Sequence, residues 1–167
     1  MLIGIGGVSR SGKSTLAEQL FAEAARQKRL ACILHQDAFV HPADQLPRIR
    51  DHIDWEVPET MDWVRLEERV AEACAQNDLV VVEGLFAFTH APLTRQYDRG
   101  ICMHIPRALF WQRKSVDLRW GREPAWYIEH IWTSYLQYGR PPVTLRPMTH
   151  LSGVVPVAES VVRACLR

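Results

Sequence analysis

Lysine is scarce in this chain. Only Lys13, Lys28 and Lys114 occur, and arginine supplies the remaining positive charge. Basic and acidic side chains nearly balance, at 20 against 19, for a net charge of +1. That balance excludes a protein that binds nucleic acid through bulk charge. Cys32, Cys74, Cys102 and Cys165 are scattered, and no C-x-x-C pair exists. Cys32 lies close to His35, but no second Cys/His pair completes a zinc pattern. The four read as buried reduced thiols, the state expected in a reducing cytoplasm. Long apolar runs are also missing. The longest, residues 79–88, is too short to span a bilayer and contains Glu83. No basic segment precedes the first apolar residues, so no secretory signal is expected. Repeats, linkers and low-complexity segments are absent, and 167 residues suffice for one domain spanning residues 1–167.

Glycine, by contrast, is concentrated at the start. Gly7 to Ser14 fits G-x-x-x-x-G-K-[ST] without a mismatch. Leu2, Ile3 and Ile5 read as a short buried strand entering this loop. Residues 14–27 read as a helix leaving it, with Leu16, Leu20, Phe21 and Ala24 at helical spacing. Strand, glycine loop and helix form the context that a phosphate-binding loop requires. Polyphosphate needs several converging donors, which successive backbone N–H groups supply. Gly7 and Gly12 let that backbone turn, and the helix N-terminus adds partial positive charge. Gly7, Ser9, Ser11, Gly12, Lys13, Ser14 and Thr15 are therefore the candidate nucleotide-binding residues. Lys13 is placed against the β- and γ-phosphates, and the Ser14 hydroxyl against Mg²⁺. ATP and Mg²⁺ follow as co-substrate and cofactor.

Residues 30–34 read as a second buried strand with Asp37 beyond its carboxyl end, where ligands sit in open α/β sheets. If that strand lies beside the first, Asp37 is near the γ-phosphate. There it can take a proton from an attacking hydroxyl or hold Mg²⁺ through water. Capping a helix from Ala38 onward is the equal alternative. Residues 38–60 are rich in proline and charge, and read as an excursion over the active face. Within it, Trp55 offers a stacking face and Glu56 offers acceptors for sugar hydroxyls. Read locally, a core plug and a solvated carboxylate are the favoured roles for this pair.

Residues 60–76 read as a helix capped by Thr60, with Val64, Leu66, Val70, Ala71 and Cys74 on its apolar face. Residues 79–82 read as a third buried strand, delivering Glu83 to the loop in the manner of a Walker-B acid. A fourth strand covers residues 101–105, with His104 as a satisfied core histidine. A helix from Ala108 then ends in Arg113, Lys114, Arg119 and Arg122. Gly121 and Pro124 break it, so residues 113–124 read as a short basic lid for the transferring phosphoryl group. An aromatic helix over residues 124–138 follows, containing Trp126, Tyr127, Ile131, Trp132, Tyr135 and Leu136. The chain closes with a short strand at residues 149–151, a turn at Leu151-Ser152-Gly153, and a helix over residues 156–166 with Pro156 in its first turn.

In order, Gly-Val-Ser-Arg-Ser-Gly-Lys-Ser-Thr-Leu, His-Gln-Asp-Ala-Phe, Asp-Trp-Glu-Val-Pro-Glu, Val-Val-Val-Glu-Gly-Leu-Phe, the Arg-rich lid, His130-Ile131-Trp132 and Tyr135 span nearly the whole chain. This combination resembles nicotinamide riboside kinases, within the uridine kinase group of phosphate-loop kinases. The resemblance implies that Asp37 is the catalytic carboxylate and that Trp55 and Glu56 contact base and ribose. It makes Glu83 the active-site acid, Arg113, Lys114 and Arg119 lid residues, and Glu123 an acid facing the substrate. Two departures stand out: Ala38, where the family often has a second Asp, and Glu56, where Asp is usual.

The expected fold is α/β, a doubly wound five-stranded parallel sheet with helices on both faces and a short lid. Catalysis is assigned to Lys13, Asp37, Arg113 and Arg119. Substrate contacts fall to Asp37, Trp55, Glu56, Glu83, Lys114 and Glu123, and the metal to Ser14, Asp37 and Glu83. The expected reaction is transfer of the ATP γ-phosphoryl group to the 5′-hydroxyl of a ribonucleoside, foremost nicotinamide riboside. A pyridinium cation suits Trp55 and Trp126 for stacking, and Glu56 and Glu123 for charge. Uridine, cytidine or another small alcohol is the nearest rival. A nucleotide switch is disfavoured, because no Asn-Lys-x-Asp motif and no Asp-x-x-Gly after the third strand occur. Neither nucleic acid nor membrane is an expected partner, and the protein is expected to be a monomer or small homo-oligomer.

Overall fold

The structure is a computed structural model, and it describes residues 1–119, 121–142 and 147–167. Five parallel strands form its centre: β1 (Leu2–Gly7), β2 (Ala31–His35), β5 (Leu79–Gly84), β6 (Arg99–His104) and β7 (Met148–Ser152). Their order is β2-β5-β1-β6-β7, which bears out the expected five-stranded parallel sheet. Strand alternation splits the apolar residues between two faces. Ile3, Ile5, Val81, Ile101 and Met103 pack under α1 (Lys13–Arg26) and α6 (Glu159–Cys165). Leu34, Val80, Val82 and Cys102 pack on the other face, under Leu66, Val70 and Ala73 of α2 (Trp63–Gln76) and Leu93 of α3 (Ala91–Thr94). Removing a fully buried side chain of α1, as in Leu20→Ala, is expected to cost about 2–5 kcal/mol. No helix among the described residues is long and apolar enough to cross a membrane.

β5 lies between β1 and β2 in register, Ile5 beside Glu83 and Glu83 beside His35. The acid adjoining the phosphate loop is therefore Glu83, and Asp37 stands one strand further out than adjacency of the first two strands would put it. The excursion also holds more order than its composition suggests. A short antiparallel hairpin forms from β3 (Arg48–Ile49) and β4 (His52–Ile53). It is held against α5 (Ala125–Tyr138), where His52 stacks on Tyr127. A third cluster, including Val8, Ile105, Phe110, Tyr127 and Ile131, fixes α5 and α4 (Arg107–Ser115) over the carboxyl ends of the strands.

Several local expectations need correction. The cap of α2 is Asp62, whose carboxylate accepts from the Arg65 amide; Thr60 is buried one turn earlier and donates to the Val57 carbonyl. Val64, Ala71 and Cys74 are exposed, so the apolar face of α2 runs through Leu66, Val70 and Ala73. Phe21 and Leu136 are likewise largely exposed. Pro156 lies before α6, which starts at Glu159. Of the thiols, Cys102 and Cys165 are buried, Cys32 is half-buried and Cys74 is exposed. His104 is not a core residue but is exposed at the end of β6.

Candidate active site

The loop from Gly7 to Gly12 is strained in the way anion binding needs. Gly7 has φ 149°, and a Cβ there would lie 2.5 Å from the Met103 carbonyl oxygen. Gly12 has φ 94° and Arg10 φ 64°, so the chain enters the left-handed region twice within three residues. Gly12 caps α1 without a side-chain hydrogen bond, and the first helical turn holds no acid. The first N–H groups of α1 are thus left available to a phosphate, and the dipole favours one. Lys13 is the first helical residue, half-buried, and its Nζ donates to the Val8 carbonyl at 3.1 Å. Ser14 and Thr15 are exposed, Ser9 is half-buried, and Ser11 is fully buried.

Ser14 Oγ donates to Glu83 Oε1 at 2.8 Å, and His35 Nδ1 lies 2.7 Å from the same oxygen. This hydroxyl–carboxylate pair offers hard oxygen donors beside the phosphate loop, which suits Mg²⁺ and not a soft metal. Asp37 sits exposed in a 3₁₀ turn, Gln36–Ala38, and its side chain caps no helix. That removes the capping alternative. Beside the loop, Thr15, Gln19, Arg113, Val154, Val155 and Val157 help line a cavity of about 170 Å³. Sequence reasoning missed this wall. The signal was Leu151-Ser152-Gly153, read only as a turn; a Cβ at Gly153 would run into the Ser11 carbonyl.

A second cleft lies between the excursion and α5. His130 Nε2 lies 2.8 Å from Asp54 Oδ1, and the Glu56 amide donates to that same oxygen at 3.1 Å. The Trp55 amide donates to Tyr127 Oη at 3.2 Å, and the Tyr127 hydroxyl donates to the Ile53 carbonyl. Asp54, His130 and Tyr127 therefore pin the Trp55-Glu56 segment to α5. None of the three was picked out as a site residue, although His130 belonged to the resemblance. Trp55 is 44% exposed, which overturns its reading as a core plug. Glu56 is not a solvated carboxylate either. It is half-buried, and burial pushes its carboxyl up to about 8. Lys114 pulls the other way, while Glu123, Asp37 and Asp54 add to the rise. Four carboxyl groups thus share one neighbourhood with Lys114, and Arg119 lies close to two of them. Trp126 is half-buried, and the Arg50 guanidinium stands 4.3 Å above its ring. This surface already takes a cation.

No protein-family model matches the chain. Nicotinamide riboside kinase 2 of Homo sapiens is 25% identical over 158 residues, 83% of this chain and 67% of that protein. A solved possible uridine kinase from Bacillus stearothermophilus covers 89% of this chain and 88% of its own, with a TM-score of 0.59 at 19% identity. A gluconokinase from Sinorhizobium meliloti covers 98% and 88%, with a TM-score of 0.62 at 18% identity. The chain is an ATP-dependent kinase with the fold of the phosphate-loop kinases. Its resemblance to nicotinamide riboside kinases, read from the motifs, is borne out by these relatives.

In this kinase the segment expected to form a basic lid begins inside a helix. Arg113 and Lys114 belong to the last turn of α4, and the irregular stretch begins at Val116. Arg113 donates to the carbonyls of Arg10, Gly153 and Val154, and so braces the loop against the cavity wall. Lys114 is buried, with its Nζ 2.9 Å from Glu123 and 3.9 Å from Asp117. Arg119 binds Asp117 through two nitrogens, and these hydrogen bonds hold Asp117 down to about 2. The same hydrogen bonds to Asp117 are the main cause of the raised pKa of Arg119; Asp37 and Glu123 add to it, so this cation shares their neighbourhood. Arg122 is exposed, and Trp120 lies outside the described residues.

Proposed function

We propose that this kinase phosphorylates the 5′-hydroxyl of a ribonucleoside with a cationic base, nicotinamide riboside, giving nicotinamide mononucleotide. The carrying observation is the acid-rich cleft around Glu56, which Glu123, Asp37 and Asp54 charge negatively and Lys114 and Arg119 only partly offset. A pyridinium entering that cleft supplies the missing positive charge and draws the Glu56 proton off, because an opposite charge favours the carboxylate. The base stacks on Trp55, and Glu56 and Glu123 face the ribose and the ring. Asp37 accepts the proton of the attacking hydroxyl. ATP lies with its phosphates on the Gly7–Gly12 loop and its base in the cavity walled by Gln19, Arg113 and Val157. Ser14 and Glu83 would hold Mg²⁺, with Asp37 reaching it through water. When bound, that ion neutralises the β- and γ-phosphate oxygens. Lys13 and Arg119 complete the charge around the transferring group.

Named relatives among the nicotinamide riboside kinases support this reading. Fold alone would not, since the same fold serves a gluconokinase. A second reading, a pyrimidine nucleoside kinase, draws on the raised pKa of Glu56: a neutral carboxyl can donate to a neutral nucleoside. ADP release, measured over nicotinamide riboside, uridine, cytidine and gluconate, separates them. Nicotinamide riboside is expected to give the highest kcat/KM. Faster turnover of uridine or cytidine would overturn the substrate assignment but not the kinase.

A further inference from the structure

β6 and β7 pair in parallel with Cys102 opposite His150 and His104 opposite Ser152. Side chains two apart share a face of a strand. Cys102 and His104 therefore project from the same side of the sheet, and His150 stands beside them on the next strand. Their ligand atoms all lie within 4.8 Å of one another. His104 Nε2 and His150 Nδ1 are 2.7 Å apart. We propose that Cys102, His104 and His150 form a binding site for a divalent transition metal, with zinc the best match.

The donor set argues for that class. One sulfur and two imidazole nitrogens suit zinc, whereas magnesium and calcium take oxygen. The site is therefore chemically distinct from the oxygen pair at Ser14 and Glu83. A hydrogen bond between the two imidazole nitrogens needs a proton on only one of them, so the other already acts as an acceptor. A metal takes the neutral ring of each histidine. Zinc–nitrogen bonds of about 2.0–2.1 Å and a zinc–sulfur bond of about 2.3 Å call for roughly 1 Å of side-chain adjustment. Both histidines are exposed and free to make it. The Cys102 thiol is the costly ligand. Burial pushes it up to about 11, against smaller opposing effects from Tyr135 and Lys13. Binding replaces the S–H bond by a sulfur–metal bond and passes the proton to water. His104 and His150 both line a cavity of about 490 Å³, from which water can supply a fourth ligand.

The location gives the metal a structural consequence. The His104 carbonyl accepts from the Gly153 amide at 2.9 Å, and β7 runs directly into the wall of the nucleotide cavity. A metal bridging the ends of β6 and β7 braces that wall.

The test is titration of the metal-free full chain with Co²⁺ and then Zn²⁺, without ATP or Mg²⁺. One equivalent of Co²⁺ is expected to bind with a sulfur-to-cobalt charge-transfer band, which Zn²⁺ abolishes by displacement. Metal is also expected to raise the melting temperature, as any ligand of the folded state does. His104→Gln and His150→Gln should each weaken binding by roughly tenfold or more, and Cys102→Ser should remove the band. Since Cys102 is buried and its replacement can unfold the chain, the two exposed histidines carry the test. No uptake at millimolar metal, uptake without the band, or wild-type affinity in both histidine variants would each overturn the proposal.

Discussion

The Ser14 hydroxyl donates to Glu83 Oε1 across 2.8 Å, tying the first turn of α1 to the end of β5. Register fixes this pairing, since β5 lies directly beside β1. Glu83→Gln keeps an acceptor for Ser14 but removes the negative charge that a cation would feel. The Mg²⁺ concentration for half-maximal rate should rise by roughly 10–100-fold, with little change in melting temperature. An unchanged Mg²⁺ titration would remove Glu83 from the metal site.

Asp37 occupies an exposed 3₁₀ turn, and its carboxylate caps no helix. A surface aspartate without structural duties can be replaced at small cost in stability, usually within about 0.5 kcal/mol. Asp37→Asn is expected to leave the melting temperature near wild type while lowering kcat roughly 10²–10⁴-fold, the range for a positioned base. A variant with near-normal kcat would show that the proton leaves by another route.

How legible all this was depended on the range of the forces involved. Ile3, Ile5 and the glycines of the loop announce a strand, a turn and a helix because neighbours in sequence decide them. The Ser14–Glu83 pair was within reach because a phosphate loop constrains the next acid at a strand end. Trp55 and Glu56 were misread locally. Their placement follows from His130 and Tyr127, more than 70 residues away, holding Asp54 and Trp55, and the pKa of Glu56 from the burial that placement imposes. Arg113 offered no local sign that it would brace three carbonyls. Thr60 lost the cap of α2 to Asp62 because a 3₁₀ turn intervenes and consumes its hydroxyl.

Glu56 makes a pH prediction whose sign can be worked out. Its carboxyl is raised from 4.5 to about 8 in the folded protein, chiefly by burial. The folded state therefore holds this proton more tightly than the unfolded chain does. The contribution is fully present below pH 4.5 and is lost as pH rises toward 8. Glu56→Gln cannot ionise, so its melting temperature should gain on wild type across that window. Cationic substrate binds the ionised form, so 1/KM for nicotinamide riboside should climb through the same range in wild type and stay flat in Glu56→Gln. Parallel pH profiles for the two proteins would contradict the assignment of Glu56.

Trp55 gives the sharpest test of the acceptor. It is 44% exposed in a segment pinned through its own backbone amide, so its indole carries little of the fold. Stacking a cation on such a ring contributes on the order of 0.5–2 kcal/mol. Trp55→Ala should raise KM for nicotinamide riboside from several-fold to about 30-fold on that estimate. KM for ATP should barely move, because the phosphate loop and the cavity beside Gln19 belong to other elements. Uridine has no positive charge to place on the indole, so its KM should change less. If both nucleosides lose the same factor, the indole acts as an apolar wall and the cation argument fails. If neither changes, the nucleoside binds elsewhere, and the stacking surface left to test is Trp126, where Arg50 already stands as a cation over the ring.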